Sequence, residues 1–160
     1  IDDILNMTIN DAIIFFEENN ENKIIRTLKP LKDVGLGYVK LGQSSTSLSG
    51  GEAQRIKLAY FISQGATKEK ILFIFDEPTT GLHFHDVNKL LSSFNLLIDR
   101  GHTIVVVEHN LELIKCADYI IELGPEAGKN GGYLVGQGSP ELISKISKSN
   151  TAGYLTKKLI

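Results

Sequence analysis

The 160-residue sequence predicts an α/β chain, a mainly parallel sheet flanked by helices with a helical segment on its amino-terminal side. Three observations carry this. Two apolar runs, Ile71 to Phe75 and Thr103 to Val107, bracket an amphipathic stretch from Asp86 to Arg100, the pattern of a strand, helix and strand with a right-handed crossover. The residues ahead of them carry apolar side chains at helical spacing. The composition, 42% hydrophobic and 22% charged, is that of a globular protein and excludes disorder, collagen and coiled coil.

The elements follow in order. Thr8 to Asn19 reads as a helix, with Thr8 at the N-cap, Asp11 at the third helical position, and Ile9, Ala12, Ile13 and Phe16 on one face. A second helix runs from Lys23 to about Val34, interrupted or kinked by Pro30 and stopped by Gly35-Leu36-Gly37. Gly42 to Ser47 is a loop rich in Gly, Ser and Thr that leads into a third helix. Ile71 to Phe75 is apolar at every position, as expected of a central strand covered on both faces. Val87, Leu90, Leu91, Phe94, Leu97 and Ile98 make the buried stripe of the next helix, which Gly101 ends. A short helix over Asn110 to Cys116, strands at Tyr119 to Leu123 and Tyr133 to Val135, and a last helix to about Ile146 with Ser139 as N-cap and Pro140 at N1 complete the reading.

No uncharged apolar run approaches the roughly 18 residues of a membrane span. A single cysteine, Cys116, closes no internal disulfide and builds no zinc site, which fits a reducing cytoplasm. The start Ile1-Asp2-Asp3 has neither a methionine nor a basic leader, so the chain is expected to be a piece of a longer protein. The net charge of −2 conceals four blocks: six acids and no base over 1–22, nine bases against three acids over 23–70, nine acids against three bases over 71–126, and five bases against one acid over 127–160. The second block is either a solvated face or a place for phosphate.

Three clusters carry chemistry. In Leu48-Ser49-Gly50-Gly51-Glu52-Ala53-Gln54-Arg55, Ser49 and Glu52 fit a capping box, and the two glycines, each unfavourable in a helix, suit a helix start that another backbone or an anion approaches closely. Asp76-Glu77-Pro78 follows the buried strand at its carboxyl end, where ligands of open parallel sheets bind. An aspartate there suits Mg²⁺, and Glu77 can polarise a water as a general base; the alternative is a polar strand end turning at Pro78. Glu108-His109-Asn110 ends the next strand, within reach of the same phosphate, and Thr79-Thr80-Gly81-Leu82-His83 bridges the two. Gly124 to Asn130 imitates a P-loop but has three residues between its glycines and ends in Asn, so the chain has no Walker A.

These residues resemble the ABC ATPases: Leu48 to Arg55 the signature, Ile71 to Glu77 the Walker B strand, Thr79 to His83 the D-loop and His109 the switch histidine. Gly42-Gln43, Asp76 to His83, Glu108-His109-Asn110-Leu111 and Leu123-Gly124-Pro125-Glu126 together resemble the UvrA family of bacterial excision repair, in the carboxyl-terminal part of its second cassette. The resemblance implies a helical lead-in over 1–47, the signature helix over 48–70 and the carboxyl-terminal part of the ATPase core over 71–160. It implies a DNA-dependent ATPase that uses ATP and Mg²⁺, dimerises and loads the helicase subunit UvrB. The P-loop and the zinc module would then lie in the amino-terminal half of the protein, with no zinc ligands here.

Carried over, Ser49, Gly50, Gly51 and Glu52 would meet the γ-phosphate of ATP held by an opposing cassette, with Gly81 in the adjoining loop. Asp76 would hold Mg²⁺ through water, Glu77 would orient the attacking water and His109 would sense the γ-phosphate. Without a Walker A the chain alone is expected to be inactive. Lys29, Lys32, Arg55 and Lys57 are candidate DNA contacts. The competing readings are a related protein that protects against DNA-binding drugs and a DNA- or partner-binding module with no ATPase role. An exposed apolar sheet edge and self-association are also expected.

Overall fold

The computed structural model describes residues 1–65, 69–126 and 128–159, with the backbone alone at 84 and 85. It comprises two compact units, Ile1–Val107 and Glu108–Ile160.

The first unit begins with α1 (Asp2–Asn6), α2 (Ile9–Glu18) and α3 (Asn22–Asp33). Thr8 caps α2, its Oγ1 accepting from the Asp11 amide at 3.2 Å and donating to the Asp11 carboxylate at 2.7 Å. Pro30 lies inside α3 rather than ending it. The helix ends at Asp33, and Gly35 just beyond it turns the chain with a φ of +83° that suits glycine. The chain then folds back on α2, the Ile9 amide donating to the Val39 carbonyl and the Leu41 amide to that of Met7. This buries Ile9, Ala12, Ile13, Leu28, Val34, Leu36 and Val39.

A 3₁₀ turn over Ser45–Ser47 leads into α4 (Gly50–Ser63). The part of the predicted third helix at 66–68 lies outside the described residues. Strand β1 (Leu72–Asp76) pairs in parallel with β2 (Thr103–Val107), Leu72 opposite Thr103 and Asp76 opposite Val107, and α5 (Phe84–Asp99) connects them. Leu58, Phe73, Phe75, Leu90, Phe94 and Leu97 form the core, with Phe73 edge-on to Phe61 and Phe75 tilted against Phe94. Arg100 fastens the end of α5 to the end of α4, its Nη1 donating to the carbonyls of Ile62 and Gly65 at 3.1 and 3.3 Å.

One expectation fails here. β1 is not covered on both faces: Phe73 and Phe75 are buried, whereas Leu72 and Ile74 are 56% and 68% exposed. Alternate strand residues point to opposite faces, and the helices of this unit cover the phenylalanine face. Val105 and Val107 are exposed as well, leaving an open apolar sheet face.

The second unit holds α6 (Leu111–Ile114), β3 (Ile120–Gly124), β4 (Tyr133–Gly138), α7 (Pro140–Ile143) and α8 (Ala152–Thr156). β3 and β4 pair antiparallel with an irregularity between Glu122 and Leu123. Pro140 stands at the start of α7, its missing N–H costing nothing there. Ile143, Ala152 and Leu155 are buried, and the Glu122 carboxylate fixes the start of α8 by accepting from the Thr151 amide at 3.2 Å and hydroxyl at 2.9 Å. Of the P-loop imitation at 124–130, Ala127 lies outside the described residues, and Gly128–Asn130 forms a 3₁₀ turn. Among the described residues no helix is long and apolar enough to cross a membrane.

Candidate functional site

The start of α4 is a complete capping box. The Glu52 amide donates to Ser49 Oγ at 3.3 Å while Glu52 Oε2 accepts from the Ser49 amide at 2.7 Å. The other carboxylate oxygen of Glu52 accepts from the Tyr38 hydroxyl at 2.5 Å. These bonds, that from Tyr38 first, hold the Glu52 carboxyl below its usual pKa; burial, together with Glu52, pushes the Tyr38 hydroxyl up. Glu52 therefore builds the helix end.

Ser49 and Gly50 are exposed, and a side chain at Gly50 would meet nothing within 4 Å. The amides of Gly50 and Gly51 occupy the first turn, where no intrahelical acceptor exists, so the positive end of a 14-residue helix opens beside Gly50. Gly51 differs. A Cβ there would lie 3.2 Å from the Thr80 carbonyl oxygen, 3.3 Å from Arg55 Nη1 and 3.5 Å from the Glu77 carbonyl oxygen. The two glycines thus serve different neighbours: Gly51 admits the chain's own loop, and Gly50 leaves the helix end open.

That loop is the stretch after β1. Asp76 and Glu77 are exposed at the strand end and Pro78 and Thr79 are buried. The Glu77 amide donates to the Val107 carbonyl at 2.9 Å, and Glu77 has φ +47°, a left-handed conformation unfavourable for a residue with a Cβ. The Thr80 amide returns to the Glu77 carbonyl at 3.1 Å and the Leu82 amide to that of Thr79 at 3.0 Å, so the loop closes on itself. Gly81 has φ +76° and lies in the open.

Helix α4 grips this loop through two more residues. The Gln54 side-chain amide pairs with the backbone of Asp76, Nε2 donating to its carbonyl at 2.9 Å and Oε1 accepting from its N–H at 3.2 Å, as a neighbouring strand would. Arg55 is fully buried, and its Nη1 donates to the carbonyls of Pro78 and Thr80 at 2.7 and 3.2 Å. Burial pushes the pKa of its guanidinium down, against the opposing influence of Tyr38, Glu52 and Asp86.

This corrects one expectation. Arg55 is not a DNA contact, because a guanidinium with no exposed surface cannot reach a phosphate. Its place was not legible from apolar spacing: Gly51, Arg55, Leu58 and Ala59 make the buried face of α4, and a glycine and an arginine there leave no apolar stripe to read. Tyr38 and Gln54 were assigned no role from the sequence alone: Tyr38 lies in the segment between α3 and α4, and Gln54 stands on α4 three residues after Gly51, where spacing does not say which backbone its amide meets. Lys29, Lys32 and Lys57 are exposed.

His109, in the second unit, is exposed. The Glu108 carboxylate accepts from the amides of His109 at 2.7 Å and Asn110 at 2.9 Å, and Asn110 Oδ1 accepts from the Glu112 amide at 3.0 Å, capping α6. The turn that presents His109 is therefore built by the acid before it and the amide after it. Glu112 in turn pairs with Lys115 at 2.5 Å and with Lys158, and these bonds, Lys115 first, lower its pKa.

Sequence comparisons bear directly on this arrangement. The chain is 58% identical over 159 residues to the UvrABC system protein A of Clostridium acetobutylicum, 56% to that of Clostridium perfringens and 54% to that of Aquifex aeolicus, each match covering 99% of the chain. The chain carries a UvrA-family sequence. It spans 17% of the length of these curated relatives. Among solved structures, UvrA2 from Deinococcus radiodurans superposes with a TM-score of 0.82 at 43% identity, covering 97% of this chain and 19% of that one. A bacterial Atm1-family ABC exporter shares the fold, with a TM-score of 0.53 at 22% identity over 98% of this chain and 26% of its own. The fold is that of a partial ABC ATPase domain. No family model matches the chain.

Proposed function

We propose that this chain supplies one face of a composite ATPase site in the damage-recognition subunit of bacterial nucleotide excision repair. The observation that carries the reading is the join of the α4 start to the strand-end acids: Gln54 and Arg55 bond the backbone between Asp76 and Thr80, and Gly51 leaves room for it where a Cβ would crowd it. A helix end open to an anion and a pair of carboxylates are thereby held in one rigid piece. The relatives named UvrABC system protein A, at 54 to 58% identity, support the assignment to excision repair.

In this reading Ser49 and the amides of Gly50 and Gly51 face the γ-phosphate of ATP held by another cassette, with Glu52 keeping that helix end capped. Glu77 orients the attacking water, and His109 hydrogen-bonds the γ-phosphate. Gly81 lets the loop between β1 and α5 turn. Asp76, an exposed carboxylate whose backbone Gln54 holds in place, fits Mg²⁺, which takes one or two protein carboxylates and completes its shell with water and phosphate. When bound, the ion would neutralise charge on the phosphate oxygens. Exposed Lys29 and Lys32, one turn apart on α3, and Lys57 on α4 are the proposed DNA contacts. UvrB, a second copy of the full protein and the amino-terminal half of the same protein are the proposed protein partners.

The test is Mg·ATP hydrolysis by the chain alone and after adding the amino-terminal half that carries a P-loop. Activity in the mixture alone, abolished by Glu77→Gln, is the expected result. Hydrolysis by the chain alone, or activity in the mixture indifferent to Glu77→Gln, overturns these roles.

A further inference from the structure

We infer that Arg55 is a positioning residue for Glu77, holding the loop after β1 in the conformation that presents the Glu77 carboxylate. The inference rests on the ATPase reading above and adds a residue to it.

Four observations converge. Arg55 is fully buried on α4, yet its one bonded nitrogen reaches two loop carbonyls, those of Pro78 and Thr80, on either side of Thr79. Gly51, one turn earlier on the same face, brings the helix backbone against the carbonyls of Thr80 and Glu77. Glu77 sits at φ +47°, and such a conformation persists in a residue with a side chain only where its surroundings impose it. Finally, among the described residues Arg55 Nε and Nη2 have no hydrogen-bond partner.

The last point decides between packing and positioning. A buried guanidinium with two unpaired nitrogens is a costly way to fill space, and an apolar side chain of similar volume would fill it without that cost. What such a side chain lacks is a donor for Pro78 and Thr80. Its charge also faces Tyr38, Glu52 and Asp86, but it is the two bonds to Pro78 and Thr80 that fix the loop's position from the helix that also carries Gly50. Gln54 holds the residue before Glu77 and Arg55 the residues after it, so the strained residue is clamped on both sides.

The experiment uses the full-length protein containing this chain, with Arg55→Lys, Arg55→Met and Glu77→Gln. Three quantities are measured: ATP hydrolysis as a function of ATP concentration, thermal midpoint, and hydrogen–deuterium exchange across 77–82 without nucleotide. In Arg55→Met, kcat should fall about ten- to a hundred-fold, the range expected of a misplaced catalytic group. KM should stay within about two-fold. Arg55→Lys should recover part of the loss, since one ammonium can still donate to these carbonyls. Exchange at the Thr80 and Leu82 amides should rise in both variants while β1 stays protected.

Unchanged kcat in both variants, or unchanged exchange in the loop, overturns the inference. So does a loss of activity in Arg55→Lys that disappears at a temperature where the variant is fully folded. If Arg55→Met does not fold, Arg55→Lys decides by the same readings. Should the parent protein fail to hydrolyse ATP, or Glu77→Gln hydrolyse it normally, the ATPase reading falls; the exchange measurement then still decides whether Arg55 holds the loop.

Discussion

Gly50 and Gly51 are chemically identical neighbours, and the structure predicts opposite responses when each becomes alanine. At Gly50 the new methyl group meets nothing within 4 Å, so the substitution only removes the entropy cost of a helical glycine. That gain is about 0.5–1 kcal/mol, at the lower end because the residue stands in the first turn. At Gly51 the same gain is opposed by contacts of 3.2 Å to the Thr80 carbonyl and 3.3 Å to Arg55 Nη1, which are themselves hydrogen-bonded to each other at 3.2 Å. Neither can retreat without stretching that bond. Overpacking of this kind costs about 1–3 kcal/mol, so Gly51→Ala should be destabilising by up to about 2 kcal/mol net. The two variants should therefore differ by about 1–3 kcal/mol in denaturant unfolding of the chain followed by circular dichroism. In the full-length protein both should lose ATP hydrolysis, Gly50→Ala through its methyl group at the anion-facing helix end and Gly51→Ala through the displaced loop. A Gly51→Ala variant as stable as Gly50→Ala would refute the claim that Gly51 exists for the loop. A fully active Gly50→Ala would refute the claim that the open space beside it receives a ligand.

Three further expectations follow from particular contacts. The Glu52 carboxyl is held below its ordinary value of 4.5, so its contribution to stability is present above that pH and is lost as the pH falls through the depressed value in the folded state. Acid unfolding of the parent should therefore be steeper than that of Glu52→Gln, and Tyr38→Phe should remove the largest part of the difference. Arg100→Met deletes the donor to the Ile62 and Gly65 carbonyls at the end of α4 and should cost about 1.5–3 kcal/mol in chemical denaturation. Charge reversal of Lys29 and Lys32 together should weaken DNA binding by the full-length protein and flatten its salt dependence by about two phosphate contacts, measured as the slope of log affinity against log salt.

Local chemistry was readable from the residues because it depends on near neighbours. Thr8 before Asp11 and Ser49 before Glu52 mark helix starts that residues three apart satisfy, and each forms the bond its spacing predicts. The β1–α5–β2 unit follows equally from apolar periodicity, since a change of period from two to 3.6 residues is visible without knowing the partners.

What sequence could not settle is which face of β1 is covered and what a buried polar side chain holds. Ile71 to Phe75 is apolar throughout, so periodicity does not say that Phe73 and Phe75 turn inward while Leu72 and Ile74 stay open; that depends on which side α4 and α5 pack. Arg55 looks like any other cation of a basic block until the fold brings Pro78 and Thr80, more than twenty residues away, to its Nη1. Gly50 and Gly51 likewise read as a pair, and only packing separates them. Sequence determined the central elements, the caps at Thr8 and Ser49 and the chemical character of the candidate site, but not α1, α8 or the Ser139 side chain, which makes no cap bond. Tertiary structure decided the division of labour within that site, because hydrogen bonds between distant segments are set by how helices pack on the sheet rather than by spacing along the chain.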